Sequence, residues 1–145
     1  MKTQKTILVI EDEKSLRSAI VDILRLKNFL TLEARNGKEG LELAFSKHPG
    51  LILLDIIMPE MDGITALNKI REDAWGKKVP IIMLTNLSET KEHPIDDAVT
   101  HYLIKSDWKL HDIVKEIEEI LEIQNLEAAA DKLVAIADRP TRNTK

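Results

Sequence analysis

Short runs of aliphatic residues alternate along the chain with longer segments in which apolar residues recur at helical spacing. Residues 7–10, 30–34, 51–54 and 81–84 have the length and composition of strands, and a fifth strand ends at Ile104. The intervening segments repeat apolar residues every three or four positions, which is typical of helices that pack through one face. Strands alternating with helices predict an α/β fold, a doubly wound parallel sheet in the order 2-1-3-4-5 with helices on both sides.

Polar residues that could bind a ligand or take part in a reaction stand where the predicted strands end. The first strand is followed by Glu11 and Asp12, the third by Asp55, the fourth by Thr85 and the fifth by Lys105. In the predicted order the first and third strands are neighbours, and ligands bind at the carboxyl edge of such sheets. We therefore expect one site with three carboxylates, one hydroxyl and one ammonium group.

Three neighbouring carboxylates repel one another unless a cation lies between them. Ligands that are all oxygen favour Mg²⁺, which binds one or two carboxylates and shares phosphate oxygens with a substrate. We expect Asp12 and Asp55 to bind the metal directly and Glu11 to act through water. Asp55 is the best placed nucleophile for a phosphorus atom. Lys105 would pair with the phosphoryl oxygens, and the Thr85 hydroxyl would donate a hydrogen bond to one of them.

Composition narrows the class of protein. The 145 residues are enough for one domain with some length to spare, and the chain contains no cysteine, so disulfides and thiolate metal sites are excluded. The net charge of −4 argues against direct nucleic-acid binding, and no apolar run is long enough to span a membrane. A cytoplasmic protein is expected.

Residues 5–124 resemble the receiver domain of two-component response regulators, which has a flavodoxin-like fold. The matching positions are the acidic pair, the acceptor, the segment MPEMDG at 58–63, the threonine, an aromatic residue and the lysine: Glu11, Asp12, Asp55, Met58, Gly63, Thr85, Tyr102 and Lys105. The resemblance implies that the backbone carbonyl of Ile57 completes the Mg²⁺ ligands. It also implies a histidine kinase or histidine phosphotransfer protein as phosphoryl donor, and Thr85 with Tyr102 as the switch pair.

The function expected from this resemblance is a phosphorylatable signalling switch that changes its surface for a downstream protein partner. It would catalyse only its own phosphorylation and slow dephosphorylation. A receiver-like interaction module that acts without phosphorylation is the alternative. A phosphatase of the haloacid dehalogenase type needs a second Asp where Ile57 stands, and a flavodoxin-like cofactor carrier would be disfavoured by acidic residues 11–13, which repel phosphate.

Some positions depart from the family pattern. Ser106 follows Lys105 in place of proline, which predicts either a trans peptide with a displaced lysine loop or a strained cis bond. Pro94 predicts a short or late fourth helix. Ile57 and Leu87 lie two residues beyond the acceptor and the threonine; because neither can orient a hydrolytic water, we expect slow dephosphorylation.

Helical spacing of apolar residues continues beyond the receiver-like part. It runs from Leu126 to Ala137, before Pro140, and predicts either an extension of the preceding helix or a separate helix capped by Asn125. Residues 1–124 are thus predicted as the receiver domain and 125–145 as a helical extension with a basic tail, too short for a further domain. The extension would either fold back on the domain or form a homodimer or linker helix.

Overall fold

The computed structural model describes residues 5–85, 101–104 and 109–137. Each predicted strand lies within a strand of the structure. The elements are β1 (Thr6–Ile10), α1 (Lys14–Leu26), β2 (Leu30–Ala34), α2 (Gly37–Lys47), β3 (Leu51–Asp55), α3 (Gly63–Glu72), a short 3₁₀ helix (Trp75–Lys77), β4 (Ile81–Thr85), β5 (His101–Ile104) and α4 (Leu110–Ala137). The predicted fourth helix, including Pro94, falls outside the described residues, so α4 here denotes the C-terminal helix.

The five strands form one parallel sheet in the order β2-β1-β3-β4-β5. This confirms the predicted fold class and strand order. The register brings the strand ends level with one another: Ile10 pairs with Leu54, and Asp55 pairs with Leu84. The carboxyl ends of β1, β3 and β4 therefore meet at one edge of the sheet, where the predicted site residues stand.

The central strands are buried because both of their faces carry aliphatic side chains. Every residue of β3 is buried, as are the last four residues of β1 and the first four of β4. Helices α2 and α3 contribute Ala44, Leu67 and Ile70 to the same core. Burial on both faces fixes the register of the sheet, since a shift along a strand would misplace every aliphatic contact.

Two helices begin at side chains that cap their first turn. The N–H of Glu39 donates to Oδ1 of Asn36 at 2.8 Å, and the N–H of Thr65 donates to Oδ1 of Asp62 at 2.7 Å. Each such cap stabilises a helix by about 1 kcal/mol. Asp62, which stands directly before Gly63, is thus the N-cap of the third helix.

The connection between α3 and β4 is held by Arg71. Its Nη1 donates to the carbonyl oxygens of Gly76 at 2.8 Å and Val79 at 2.6 Å, and burial lowers the pKa of this guanidinium from its ordinary value. Trp75 in the same connection stacks on His48, with ring centroids 4.5 Å apart. His48 precedes β3 and Trp75 precedes β4. These contacts therefore lie at the amino edge of the sheet, opposite the predicted site.

Helix α4 has 28 residues, a length of about 42 Å, and runs through Asn125 without a break. The alternative of a separate helix capped by Asn125 is therefore wrong: a polar residue that is exposed on one face of a helix need not end it. The described chain divides into two compact units, one ending at Val114 and one beginning at Lys115. Within the described residues, no helix is both long and apolar enough to cross a membrane.

Candidate functional site

Three carboxylates converge at the carboxyl edge of the sheet. Glu11 and Asp12 follow β1, Asp55 ends β3, and one carboxylate oxygen from each lies within 4.8 Å of those from the other two. The cause is the strand order, because β1 and β3 are neighbours although more than 40 residues of sequence separate Asp12 from Asp55. The three carboxylates that the sequence predicted to meet are thus brought together.

The cluster is buried on one side and open on the other. Glu11 is fully buried and Asp55 is 3% exposed, whereas Asp12 is exposed. The N–H of Glu11 donates to the carbonyl of Ala34 at 3.0 Å, which continues the pairing of β1 with β2 past the strand end and draws Glu11 inward. Burial of a charged carboxylate costs free energy unless a cation neutralises its charge. The oxygen-only donor set and its open side fit Mg²⁺, which keeps several waters.

Arg17, on the first helix, also belongs to the site although the sequence did not point to it. Its Nη1 donates to the Glu11 carbonyl oxygen at 2.8 Å, and its Nε lies 3.5 Å from Glu33 Oε1 on β2. Its position five residues after Asp12, at the end of the first turn of a helix that packs beside β1 and β2, is the signal that could have suggested this contact.

The loop after Asp55 folds back over the end of β3. The N–H of Gly63 donates to the Ile56 carbonyl at 2.7 Å, and Glu60 adopts a left-handed backbone conformation with φ of 68°. Ile57 is 60% exposed on this loop. It borders a shallow cavity of about 420 Å³ that is lined by Ile56, Ile57, Met58, Asp62, Ile64 and Thr65. An apolar surface therefore lies beside the end of β3 and Asp55, while the role of the Ile57 carbonyl as a metal ligand stays a prediction.

The remaining predicted site residues lie on β4, on β5 or beyond them. Thr85 ends β4 opposite Ile104 of β5, and Tyr102 pairs with Met83 and packs partly against the core. Lys105 follows β5 and lies outside the described residues, as do Leu87 and Ser106. The sheet thus places the backbone of Thr85 one strand away from Asp55 and beside the strand that carries Tyr102.

The chain is similar to parts of two known proteins and to one receiver domain of known structure. A protein of Formosa agariphila named histidine kinase P4 is 37% identical over 83% of this chain, which covers 9% of that protein. The nitrate/nitrite response regulator protein NarL of Escherichia coli K12 is 34% identical over 79% of this chain, which covers 53% of that protein. The crystal structure of the receiver domain of sensor histidine kinase PA1611 from Pseudomonas aeruginosa PAO1, with magnesium in its active site cleft, is 26% identical at a TM-score of 0.74, covering 81% of this chain and 97% of that one.

The chain spans little of the first relative and about half of the second, so the similarity concerns a domain and not those whole proteins. The sheet order and the carboxylate cluster lie within the matched part. The model of the response regulator receiver domain matches residues 7–118, which is most of the 145 residues, and the chain therefore belongs to that family.

Proposed function

We propose that this receiver domain accepts a phosphoryl group on Asp55 from a histidine kinase or a histidine phosphotransfer protein. The observation that carries the proposal is the convergence of Glu11, Asp12 and Asp55 within 4.8 Å at the carboxyl edge of the sheet. The relative named as a histidine kinase and the receiver domain of a sensor histidine kinase support this class of donor.

The metal that fits the cluster is Mg²⁺, as in the cleft of the similar receiver domain of PA1611. Asp12 and Asp55 would bind it directly, Glu11 through water, and the Ile57 carbonyl would complete the protein ligands. When bound, Mg²⁺ supplies charge neutralisation and draws electron density from the phosphoryl oxygens. The exposed side of the cluster at Asp12 leaves room for water and for the phosphoryl group.

In the transfer step, a carboxylate oxygen of Asp55 attacks the phosphorus atom of a phosphohistidine. A new O–P bond forms as the P–N bond breaks, and the imidazole nitrogen keeps the electron pair and takes a proton from solvent. Lys105 and Thr85 would bind the phosphoryl oxygens and stabilise the charge that develops on them. The protein modifies only itself in this step, so it acts as a switch and not as an enzyme with an outside substrate.

The output would be a change in a protein-binding surface. An aspartyl phosphate carries about two negative charges and new acceptor oxygens, which would attract the Thr85 hydroxyl and the Lys105 ammonium. Movement of Thr85 would shift the population of Tyr102 conformers, because β4 and β5 are paired along their length. A downstream protein partner that prefers one population would read the phosphorylation state.

A second copy of this chain is a further proposed partner. From Ile123 onward, α4 shows a heptad pattern with Ile123, Leu126, Ala130, Leu133 and Ala137 at the two seam positions. The large apolar residues of this segment are all exposed, and Val134 and Ile136 flank the seam. The opposite face carries only polar residues and alanine: Gln124, Asn125, Ala128, Asp131, Lys132 and Ala135. Two identical helices would cover one another's seam.

The alternative is a receiver-like module that binds partners without phosphorylation. One experiment distinguishes the phosphorylated switch from this alternative: incubation of the protein with Mg²⁺ and acetyl phosphate, followed by measurement of its intact mass. We expect the wild type and Asp22→Asn, which changes an exposed carboxylate on α1, to gain one phosphoryl group, and Asp55→Asn to gain none. A wild type that gains no mass under these conditions would favour the alternative.

A further inference from the structure

Arg17 joins three elements around the acidic cluster. It lies on α1, its Nη1 donates to the carbonyl oxygen of Glu11 after β1, and its Nε pairs with Glu33 of β2. The Arg17 side chain is only 14% exposed, so the guanidinium is held between these partners and largely shielded from water. A planar guanidinium with several donors suits this bridging position better than an ammonium group would.

The carbonyl that Arg17 binds belongs to the peptide between Glu11 and Asp12. Because a peptide unit is planar, holding its oxygen restrains the backbone angle ψ of Glu11 and φ of Asp12. The N–H of Glu11 is held as well, by the Ala34 carbonyl at 3.0 Å. Glu11 is thus fixed by a hydrogen bond on either side of its Cα, and the directions of both acidic side chains follow from that geometry.

We propose that Arg17 is a positioning residue for the metal site: it orients the Glu11–Asp12 peptide so that both carboxylates meet Asp55. The inference rests on the proposed function, because it assumes that the cluster binds Mg²⁺. An arginine near a cation site could instead act only through its charge, and that charge would repel Mg²⁺. Pairing with Glu33 offsets the charge of Arg17, which leaves the hydrogen bond as its main effect on the cluster.

The two roles predict changes of opposite sign when the guanidinium is removed. Loss of a repelling charge strengthens Mg²⁺ binding, whereas loss of the hydrogen bond that orients the ligands weakens it. Groups that hydrogen-bond to metal ligands and orient them typically contribute about 10-fold or more to metal affinity. The sign of the change in the Mg²⁺ dissociation constant therefore separates positioning from electrostatics.

The test is calorimetric titration of Mg²⁺ into the unphosphorylated protein. Arg17→Met keeps an apolar stem of similar length and removes every donor. Arg25→Met is the matched control, since Arg25 is an exposed residue of the same helix whose Nε donates to Thr31 Oγ1 on β2 at 3.0 Å without touching the acidic pair. We expect the dissociation constant to rise about 10-fold in Arg17→Met and to stay within about twofold of wild type in Arg25→Met. Unchanged or tighter binding by Arg17→Met would overturn the inference.

A second readout needs no metal. The ¹⁵N order parameter of the Asp12 amide reports the order of the same peptide, and we expect it to fall from about 0.85 in the metal-free wild type to below about 0.6 in Arg17→Met. An unchanged value in a folded variant contradicts the positioning role. A wild type that does not bind Mg²⁺ would instead refute the proposed metal site, and this NMR measurement would still decide whether Arg17 orders the peptide.

Discussion

Gly63 lies against the backbone of Asp55 so closely that a β-carbon at position 63 would overlap the Asp55 carbonyl oxygen. The contact lets the loop after β3 return to the end of the strand, where the Gly63 N–H donates to the Ile56 carbonyl. Helix α3 begins at the same residue, with Asp62 as its cap. The glycine of the MPEMDG segment is therefore required by close packing against the Asp55 backbone.

Replacing Gly63 by alanine should destabilise the fold, because the overlapping atom is backbone and cannot rotate away. We expect a loss of about 3 kcal/mol in the free energy of unfolding, at the upper end of what overpacking costs. Urea denaturation monitored by circular dichroism measures it. Gly50→Ala is the matched control, since the nearest atom to its new β-carbon would be the flexible Lys5 side chain at 3.3 Å. Equal losses in the two variants would contradict the packing argument.

The fold was predictable because its signals are local and consistent. Aliphatic runs mark the strands, and the alternation with helices leaves few topologies for a parallel sheet. Once the strand order is known, Asp12 and Asp55 must be neighbours, so the acidic cluster follows from the sequence. The role of Asp62 as a cap also follows, because it stands directly before a helix.

Other features depend on tertiary distances, which a local pattern can suggest but cannot determine. The reach of Arg17 to the Glu11 carbonyl is set by how α1 docks beside β1 and β2. The contact of Gly63 with Asp55 depends on the path of a loop in which Glu60 adopts a left-handed conformation. Asn125 illustrates the reverse case: a residue favoured at helix caps left two alternatives open, and it stands here within a continuous helix.

If the cluster binds Mg²⁺ as proposed, the ion should stabilise the folded protein, because the cluster exists only when β1 and β3 are paired. At a concentration about 100 times its dissociation constant, one bound ion adds about 2.7 kcal/mol. Asp12→Asn should lose most of this gain and yet be slightly more stable than wild type without metal, since it relieves repulsion between carboxylates. Thermal unfolding with Mg²⁺ and with a chelator measures both effects.

Asp22→Asn provides the control for that experiment, because Asp22 is an exposed carboxylate of α1 outside the cluster. It should respond to Mg²⁺ as the wild type does. An Mg²⁺ response of Asp12→Asn equal to that of the wild type would place the ion elsewhere.

A polar side chain at Ile57 should shorten the lifetime of the phosphorylated protein. Ile57 is 60% exposed two residues after Asp55, the proposed acceptor, where an apolar side chain cannot orient an attacking water. We expect Ile57→Asn to increase the rate of phosphate release about tenfold, a modest part of the effect that proton-transfer groups reach. The decay of the phosphorylated mass after removal of the phosphodonor gives the rate.

The control for this substitution is Leu26→Asn, which also replaces an exposed aliphatic residue, at the last position of α1. Its lifetime should match that of the wild type. If Ile57→Asn decays no faster than this control, the apolar flank does not limit hydrolysis.

The seam on α4 should drive weak self-association. Two heptads are few for a coiled coil, and alanine fills two of the five seam positions. We therefore expect a dissociation constant in the micromolar to millimolar range, which corresponds to a binding free energy of about −8 to −4 kcal/mol. Leu126→Glu with Leu133→Glu would bury like charges against one another in the paired helices and should leave the protein monomeric in sedimentation equilibrium.

Ala128→Glu with Ala135→Glu adds the same two charges on the opposite face of the same helix. This variant should associate as the wild type does, because its new charges point away from the seam. Because both double variants share net charge and helix length, a difference between them isolates the seam. Persistence of association in both variants would show that a different surface joins the two copies, and loss in both would show that the added charge and not the seam decides association.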